Sequence, residues 1–527
     1  MVLGTSSHVG KSLLTAALCR IFSQHGYRVA PFKSQNMSLN SAATVEGLEI
    51  GRAQALQAEA SRVAPSVHMN PVLIKPSGDS SSQVVVRGKI WGRVTAADYH
   101  QRRVEELLPV VRESYETLAS QYDVVILEGA GSPAEINLKR HDIANMRMAE
   151  IADARCLLVG DIDRGGVFAS LLGTLELLEA EERKRIHGFA INKFRGDESL
   201  LEPGIRMIEE RIRKACIGVV PYMPSLMLEE EDSLGLPATT QTRWILEASS
   251  DRPLRVAVIA LPSFSNFTDF DSLRAETSVS LLFCRTVEAV ADADVVILPG
   301  TKQTVDDLRW MRERGLDVAL QRYARTGLVV GICGGMQMLG ETITDPLGME
   351  QEGSVPGLRL LPIRTIMQSD KVTRNVTGNI VARTLFGTPV TDSQVSGYEI
   401  HVGRTVYQTG AAHFAVLSAG LESSGERDDG CVSANTRIFG TYLHGLFDND
   451  SFRHQFLLAA RAFYNLAAPS GLHQWKQLRE ESFDRLAREV EKALDMKAIF
   501  EWVGLTYGDS DGARENPDPS QVAGLTR

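Results

Sequence analysis

The run GLVVGICGGMQMLG, residues 327–340, carries the sharpest chemical content in the chain. An apolar stretch ends at Cys333, two glycines follow, and a Met- and Leu-containing helical stretch begins. A strand, a tight turn and a helix in that order present a nucleophile at the turn. The start of the helix favours developing negative charge, and the Gly334 N–H is positioned to meet an oxyanion. Gly300, in ILPGTKQT, is the expected second donor from a neighbouring loop. A lone cysteine is more often a buried structural residue, but the flanking glycines favour the nucleophile. A thiol nucleophile needs a base. Of the 11 histidines, His444 in IFGTYLHGLF is the best placed, closing a β-rich run. His401 in SGYEIHVGRT is the rival, although its strand alternates like a half-buried one. Arg404, just beyond, suits either a bidentate grip on a substrate carboxylate or an ordinary surface ion pair.

A second chemistry opens the chain. Gly4-Thr5-Ser6-Ser7-His8-Val9-Gly10-Lys11-Ser12 reads as a phosphate-binding loop for ATP. Its glycines let backbone N–H groups curl around an anion, the helix that follows adds its positive end, and Lys11 reaches the terminal phosphates. Ser12 offers a hydroxyl to Mg²⁺. Five residues, not four, separate Gly4 from Gly10. That longer loop resembles those of dethiobiotin synthetase and its relatives, which phosphorylate carboxylates. Glu128 ends the apolar run DVVILEG, at the strand end where α/β sheets gather ligands, and is the expected metal-holding acid. Alone it would pass for a solvated strand-end carboxylate. Asp161 and Asp163, in CLLVGDIDRGG, repeat that logic more weakly. Asn192, in HGFAINK, is assigned to a purine edge by fold analogy alone.

Such groups need rigid elements to hold them. At 527 residues the chain is too long for one core. In the first half, VAPFK (29–33), QVVVRG (83–88), DVVILEG (123–129), CLLVGDID (156–163), HGFAINK (187–193) and CIGVVPY (216–222) alternate with helical stretches. Near-continuous apolar runs suit a parallel sheet covered on both faces, so a doubly wound α/β domain is expected over 1–235. Residues 236–252 read as a linker. A second β-α series begins with LRVAVIALP, ADVVILPG and GLVVGICGG and implies another α/β domain over 253–450. A helical segment follows over 451–505, and the polar, Pro- and Gly-containing stretch 506–527 is expected to be disordered.

Bulk properties exclude some functions. A formal charge of −10 argues against a general nucleic-acid binder. Six cysteines scattered singly suit a reducing compartment and offer no zinc site. No apolar run reaches the length of a membrane span, and the start carries no signal-peptide pattern, so a cytoplasmic enzyme off the membrane is expected. A homo-oligomer is left open.

Taken together, the phosphate loop, the acidic strand ends and the cysteine elbow resemble the cobyrinate-type glutamine amidotransferases. The likeness rests on FKSQNMSLNS (32–41), EIGRAQALQAEA (49–60), MNPVLIKPSGDSSSQVVVRG (69–88), ILEGAGSPAEINL (126–138), INKFRGD (191–197), SNFTDFDSL (265–273), SGYEIHVGRT (396–405) and GTYLHGLFDN (440–449). It spans roughly residues 3–450. The resemblance implies a P-loop domain of the dethiobiotin-synthetase kind followed by a class I-type glutamine amidotransferase domain. It further implies that Cys333 and His444 release ammonia from L-glutamine, and that ATP and Mg²⁺ activate a carboxylate for amidation. The substrate implied is a corrinoid, adenosylcobyrinic acid a,c-diamide, amidated at its b, d, e and g carboxylates. The blocks at 32–41 and 191–197 favour this branch over the branch that forms the a,c-diamide. A cell-wall amidating ligase is more remote, because it usually splits these domains across two chains. A non-catalytic P-loop scaffold is opposed by intact Lys11, Cys333 and His444. Ammonia must also be kept from protonation, which calls for an internal route between the sites.

Two departures from the family pattern stand out. Only Val2 and Leu3 lie between Met1 and Gly4, so the first strand is expected to be short. Many cysteine amidotransferases carry an acid two places after the histidine, where this chain has Leu446. A Cys-His pair without that third member is therefore expected. If a carboxylate does orient the ring, Glu399 is preferred to Asp448, and a backbone carbonyl is the plain alternative.

Overall fold

The computed structural model describes the chain except residues 78–80, 96–97, 100–103, 225, 229–249, 393, 420–424, 470 and 509–527. The expected linker therefore lies outside the described residues apart from Ser250–Arg252, and the expected tail apart from Thr506–Gly508. Two compact units emerge. The first gathers Met1–Ser38, Glu49–Glu231 and the chain from Arg479 onward, and the second gathers Leu39–Leu48 and Asp232–Leu478.

In the first unit, Val2–Gly4, Cys156–Asp161, Ile186–Phe194 and Ala215–Pro221 lie side by side in that order, all parallel. Val29–Phe32 pairs in parallel with Val124–Leu127, and a bridge from Val2 to Glu128 sets that pair beside the first strand. The first strand is three residues long. It puts Gly4 and Glu128 at the carboxyl ends of neighbouring strands, where the phosphate loop begins. One strand departs from expectation. Ser81–Val86 runs antiparallel to both Val72–Ser77 and Lys89–Thr95, in a separate small sheet with Gln35–Met37. The cause is local: Arg87 and Gly88 hold φ 43 and 76, and two positive-φ residues make the tight turn that folds a strand straight back.

The helical segment expected over 451–505 is divided between the units. Asp450–Phe463 stays in the second. From Arg479 onward, Phe483, Leu486, Ala487, Val490 and Leu494 recur at helical spacing and join Val9, Leu14 and Phe22 in one core. Phe500 stacks on Phe22 with centroids 4.3 Å apart, and the fully buried Arg20 pairs with Glu480 and Asp484.

The second unit is built on a sheet ordered Val279–Cys284, Leu254–Ile259, Val295–Leu298, Leu328–Ile332, Ile438–Thr441, Cys431–Val432. All neighbours are parallel except the last pair. A second sheet is dominated by the long antiparallel pair Ile363–Ile380 and Gln394–Tyr407. The central strands Val295–Leu298 and Leu328–Ile332 are buried at every position, which fixes the rigid edge from which Cys333 projects.

Candidate functional site

Cys333 leaves strand Leu328–Ile332 and caps the helix Gly334–Leu339 with φ 50 and ψ −111. A non-glycine residue held there stores strain, and the surrounding packing must over-determine it. The glycines make the turn possible. A Cβ on Gly335 would lie 2.0 Å from the Leu298 carbonyl oxygen, and one on Gly334 would lie 2.7 Å from Thr301 Cγ2. Thr301 is itself held by a hydrogen bond from its hydroxyl to Asp307. The Cys333 thiol donates toward the Ile400 carbonyl at 3.5 Å and lies near enough to the His444 ring to favour its protonation.

His444 is 1% exposed, just past strand Ile438–Thr441. Its Nδ1 lies 2.7 Å from Asp269 Oδ2, while Asp269 Oδ1 accepts the Gly445 N–H at 3.0 Å. With Nδ1 engaged, Nε2 is left for the thiol. Tyr398 stacks on the imidazole at 5.2 Å and 16°, and the two backbones exchange hydrogen bonds of 3.2 and 2.9 Å. Gly397 and Gly300 allow this closeness. A Cβ on Gly397 would lie 2.1 Å from the His444 carbonyl oxygen, and one on Gly300 2.9 Å from His444 Cε1. Burial by itself would lower this imidazole. The charge and hydrogen bond of Asp269, with the Cys333 contact, outweigh it and raise the ring to about 10.

With Asp269 on the far side of His444 from Cys333, the geometry is that of a three-membered arrangement and not of the expected pair. The carboxylate is neither of the residues expected from sequence. Glu399 is 2% exposed and spends its charge on Arg374 at 2.7 Å and on Arg427, because those guanidiniums flank its strand. His401 faces the Tyr442 ring at 3.8 Å, its Nδ1 is 2.7 Å from the Gly403 carbonyl, and burial lowers it to about 4. A ring that resists protonation there is a poor proton shuttle. Arg404 is exposed, while Gly403 packs onto Gln337 of the elbow helix, so the arginine lies on the outward side of its strand.

In the first unit the loop from Gly4 to Gly10 leads into helix Lys11–Gln24. Gly10 adopts φ 95, and Asn192 Nδ2 approaches so closely that a Cβ there would lie 2.2 Å from it. Gly4 is crowded by Val9, whose Cγ2 would be 2.6 Å from an added Cβ. The Thr5 N–H is already used on the Val159 carbonyl at 2.9 Å. Lys11 Nζ folds back onto the carbonyls of Ser6 at 3.0 Å and Gly131 at 3.1 Å. Ser12 Oγ donates to Glu128 Oε1 at 2.8 Å. Two residues missed from sequence converge on the same carboxylate: Lys33 Nζ at 2.9 Å and Gln57 Nε2 at 2.6 Å. A lysine closing the apolar run VAPFK was the available signal for the first. Asn192 Nδ2 donates to the Val9 carbonyl at 2.7 Å, and Lys193 to that of His8 at 2.5 Å, so this pair braces the loop from behind. Asp161 pairs with Lys193 at 2.9 Å and Asp163 with Arg195 at 3.4 Å, so both acids are already matched with cations. Beside Gly131 opens a cavity of about 270 Å³ lined by Gln35, Met37, Tyr99, Ser132 and Asn145 among others.

Residues 1–235 match the family described as the CobQ/CobB/MinD/ParA nucleotide binding domain, and residues 255–452 the CobB/CobQ-like glutamine amidotransferase domain. Three curated relatives are similar along nearly the whole chain, each called cobyric acid synthase. That of Thermoanaerobacter sp. (strain X514) is 46% identical, covering 95% of this chain and 98% of its own. That of Moorella thermoacetica is 46% identical over 96% and 97%. That of Clostridium acetobutylicum is 45% identical over 96% and 98%.

Proposed function

This chain belongs to the cobyric acid synthase family, and we propose that it amidates the b, d, e and g carboxylates of adenosylcobyrinic acid a,c-diamide with ammonia drawn from L-glutamine, at the expense of ATP. The glutaminase half rests on one observation above all: the buried His444 ring, hydrogen-bonded to Asp269 and with Cys333 acting on it from the elbow. Cys333 Sγ attacks the side-chain amide carbon of glutamine with its proton already held on the His444 imidazole. Asp269 stabilises that imidazolium. The tetrahedral oxyanion is met by the Gly334 N–H and by the loop at Gly300. His444 returns the proton to the leaving nitrogen, ammonia departs, and water releases glutamate from the thioester.

In the first unit the P-loop amides and Lys11 cradle the ATP phosphates. A corrinoid carboxylate oxygen attacks the γ-phosphorus, ADP leaves, and ammonia displaces phosphate from the acyl phosphate to give the amide. Lys33, beside Glu128, sets a second positive charge near the transferring group. Asn192 keeps its Oδ1 for a purine amino group while its Nδ2 braces the loop. Ser12 Oγ and the Glu128 carboxylate are adjacent hard oxygens that would hold Mg²⁺, with Glu128 shared between the metal and Lys33, and the metal's charge would offset that of the phosphates. The cavity beside Gly131 is too small for a corrin macrocycle and suits one carboxylate arm. Around it, Met37, Ile136 and Leu138 expose apolar surface for the ring. We place the reaction in the cytoplasm.

The test is to supply ATP, Mg²⁺ and glutamine with either adenosylcobyrinic acid a,c-diamide or the corrinoid lacking those two amides, and follow the products by mass. Stepwise amidation of the first supports the proposal. Consumption of the second alone would assign the site to the earlier, diamide-forming step.

A further inference from the structure

The segment Leu39–Leu48 follows the strand bearing the small-sheet residues Gln35–Met37, yet it belongs to the glutaminase unit. Its Asn40 and Ser41 are 1% and 0% exposed, and they form a reciprocal clasp with Asn266. The Asn266 N–H donates to Asn40 Oδ1 at 2.8 Å, and the Ser41 N–H donates to Asn266 Oδ1 at 3.0 Å. Asn266 holds φ 55 and ψ 47, a left-handed conformation that a non-glycine residue keeps only when its surroundings enforce it. It opens the turn Phe267–Phe270, and its carbonyl accepts the Asp269 N–H at 3.1 Å. The next residue back, Ser265, donates its N–H to the Gly300 carbonyl at 3.0 Å.

The same segment reaches the other side of the histidine. Ala43 packs with Tyr398 and Ile400, the first stacked on His444 and the second accepting the Cys333 thiol. Asn375 Nδ2 donates to the Thr44 carbonyl at 2.9 Å. The segment closes on itself through Thr44 N–H to Leu48 carbonyl at 2.8 Å, with Gly47 at φ 74. It therefore touches the turn that carries Asp269 and the ring that backs His444.

We propose that Asn40 is a positioning residue for glutamine hydrolysis: it holds Asn266 in its left-handed turn and so keeps Asp269 on His444. This rests on the reading of Cys333 and His444 as the glutaminase pair. An imidazole whose carboxylate drifts loses rate in the chemical step, while the pocket for glutamine stays as it was. The two effects are separable by experiment.

Glutaminase kcat and KM are measured for wild type, Asn40→Ala, Asn40→Asp and Val45→Ala, with ammonium-driven amidation as the internal control. Val45 is 69% exposed at the tip of the segment. The expected result for Asn40→Ala is a kcat loss of about tenfold or more at a KM within about twofold, with ammonium-driven amidation within about twofold of wild type. Asn40→Asp, which keeps an acceptor at the same reach, recovers most of that kcat, and Val45→Ala matches wild type. The proposal is overturned if kcat of Asn40→Ala stays within about twofold of wild type, or if ammonium-driven amidation falls in step with it. It is also overturned if folded Asn40→Asp is as slow as Asn40→Ala. Failure of the glutaminase reading itself is distinguishable, because Cys333→Ala would then leave glutamine hydrolysis intact.

Discussion

Asp269 Oδ2 lies 2.7 Å from His444 Nδ1 although 175 positions separate them in the chain. Where many cysteine amidotransferases carry an acid two places after the histidine, the carboxylate beside this ring comes from the turn Phe267–Phe270, which follows strand Leu254–Ile259. Removing its charge while keeping its shape is the direct test. Asp269→Asn is expected to lower glutaminase kcat roughly 10²–10⁴-fold, because the ring loses both its tautomer and its imidazolium partner. Glu399→Gln is expected to leave kcat within about twofold, since that carboxylate serves two arginines instead. Steady-state kinetics of the two variants decides between them.

The same contact makes stability depend on pH. His444 is raised from 6.5 to about 10, with burial opposing and Asp269 and Cys333 prevailing. A group raised on folding contributes stability that is complete below its unfolded value and fades as pH climbs through its folded one. The unfolding free energy of wild type is therefore expected to lose this contribution between pH 6.5 and about 10. In Asp269→Asn that slope flattens. Denaturant titrations at several pH values across the window measure it, and parallel slopes would contradict the assignment.

Cys333→Ala separates the two half-reactions. Glutamine-driven amidation is expected to vanish, while amidation driven by an added ammonium salt continues within about twofold of wild type. Loss of both in a folded protein would dismiss the two-site scheme.

Lys33 supplies a test of the phosphate site that leaves the loop intact. Its ammonium is 2.9 Å from the buried Glu128 carboxylate. Lys33→Met is expected to lower both ammonium-driven and glutamine-driven amidation about tenfold or more, since both need the acyl phosphate. Glutamine hydrolysis measured alone is expected to survive.

Local signals explain what was legible in the sequence. The apolar run into Cys333 and the paired glycines after it define an elbow whose geometry depends on a dozen neighbouring residues, so it was readable. So was the phosphate loop, for the same reason. Asp269 was not, because SNFTDFDSL holds two acids, Asp269 and Asp271, with no local signal to tell them apart; only the folded register places the first on His444. Lys33 and Gln57 meet Glu128 from different elements, again a tertiary fact. Ser81–Val86 reads as a covered strand, but its partner is chosen by the turn at Arg87–Gly88, and that turned it into a hairpin. The helix from Arg479 showed its apolar spacing plainly, yet spacing does not say which core a helix joins.

The interleaved chain has a consequence for anyone who would treat the halves as modules. A gene cut between them, anywhere in residues 232–252, leaves the first fragment without the helix that completes the Phe22–Phe500 core. It leaves the second fragment without the Asn40 clasp on the turn that carries Asp269. Neither piece is a whole protein in miniature, and transplanting either one into a chimera means carrying its stray segment along.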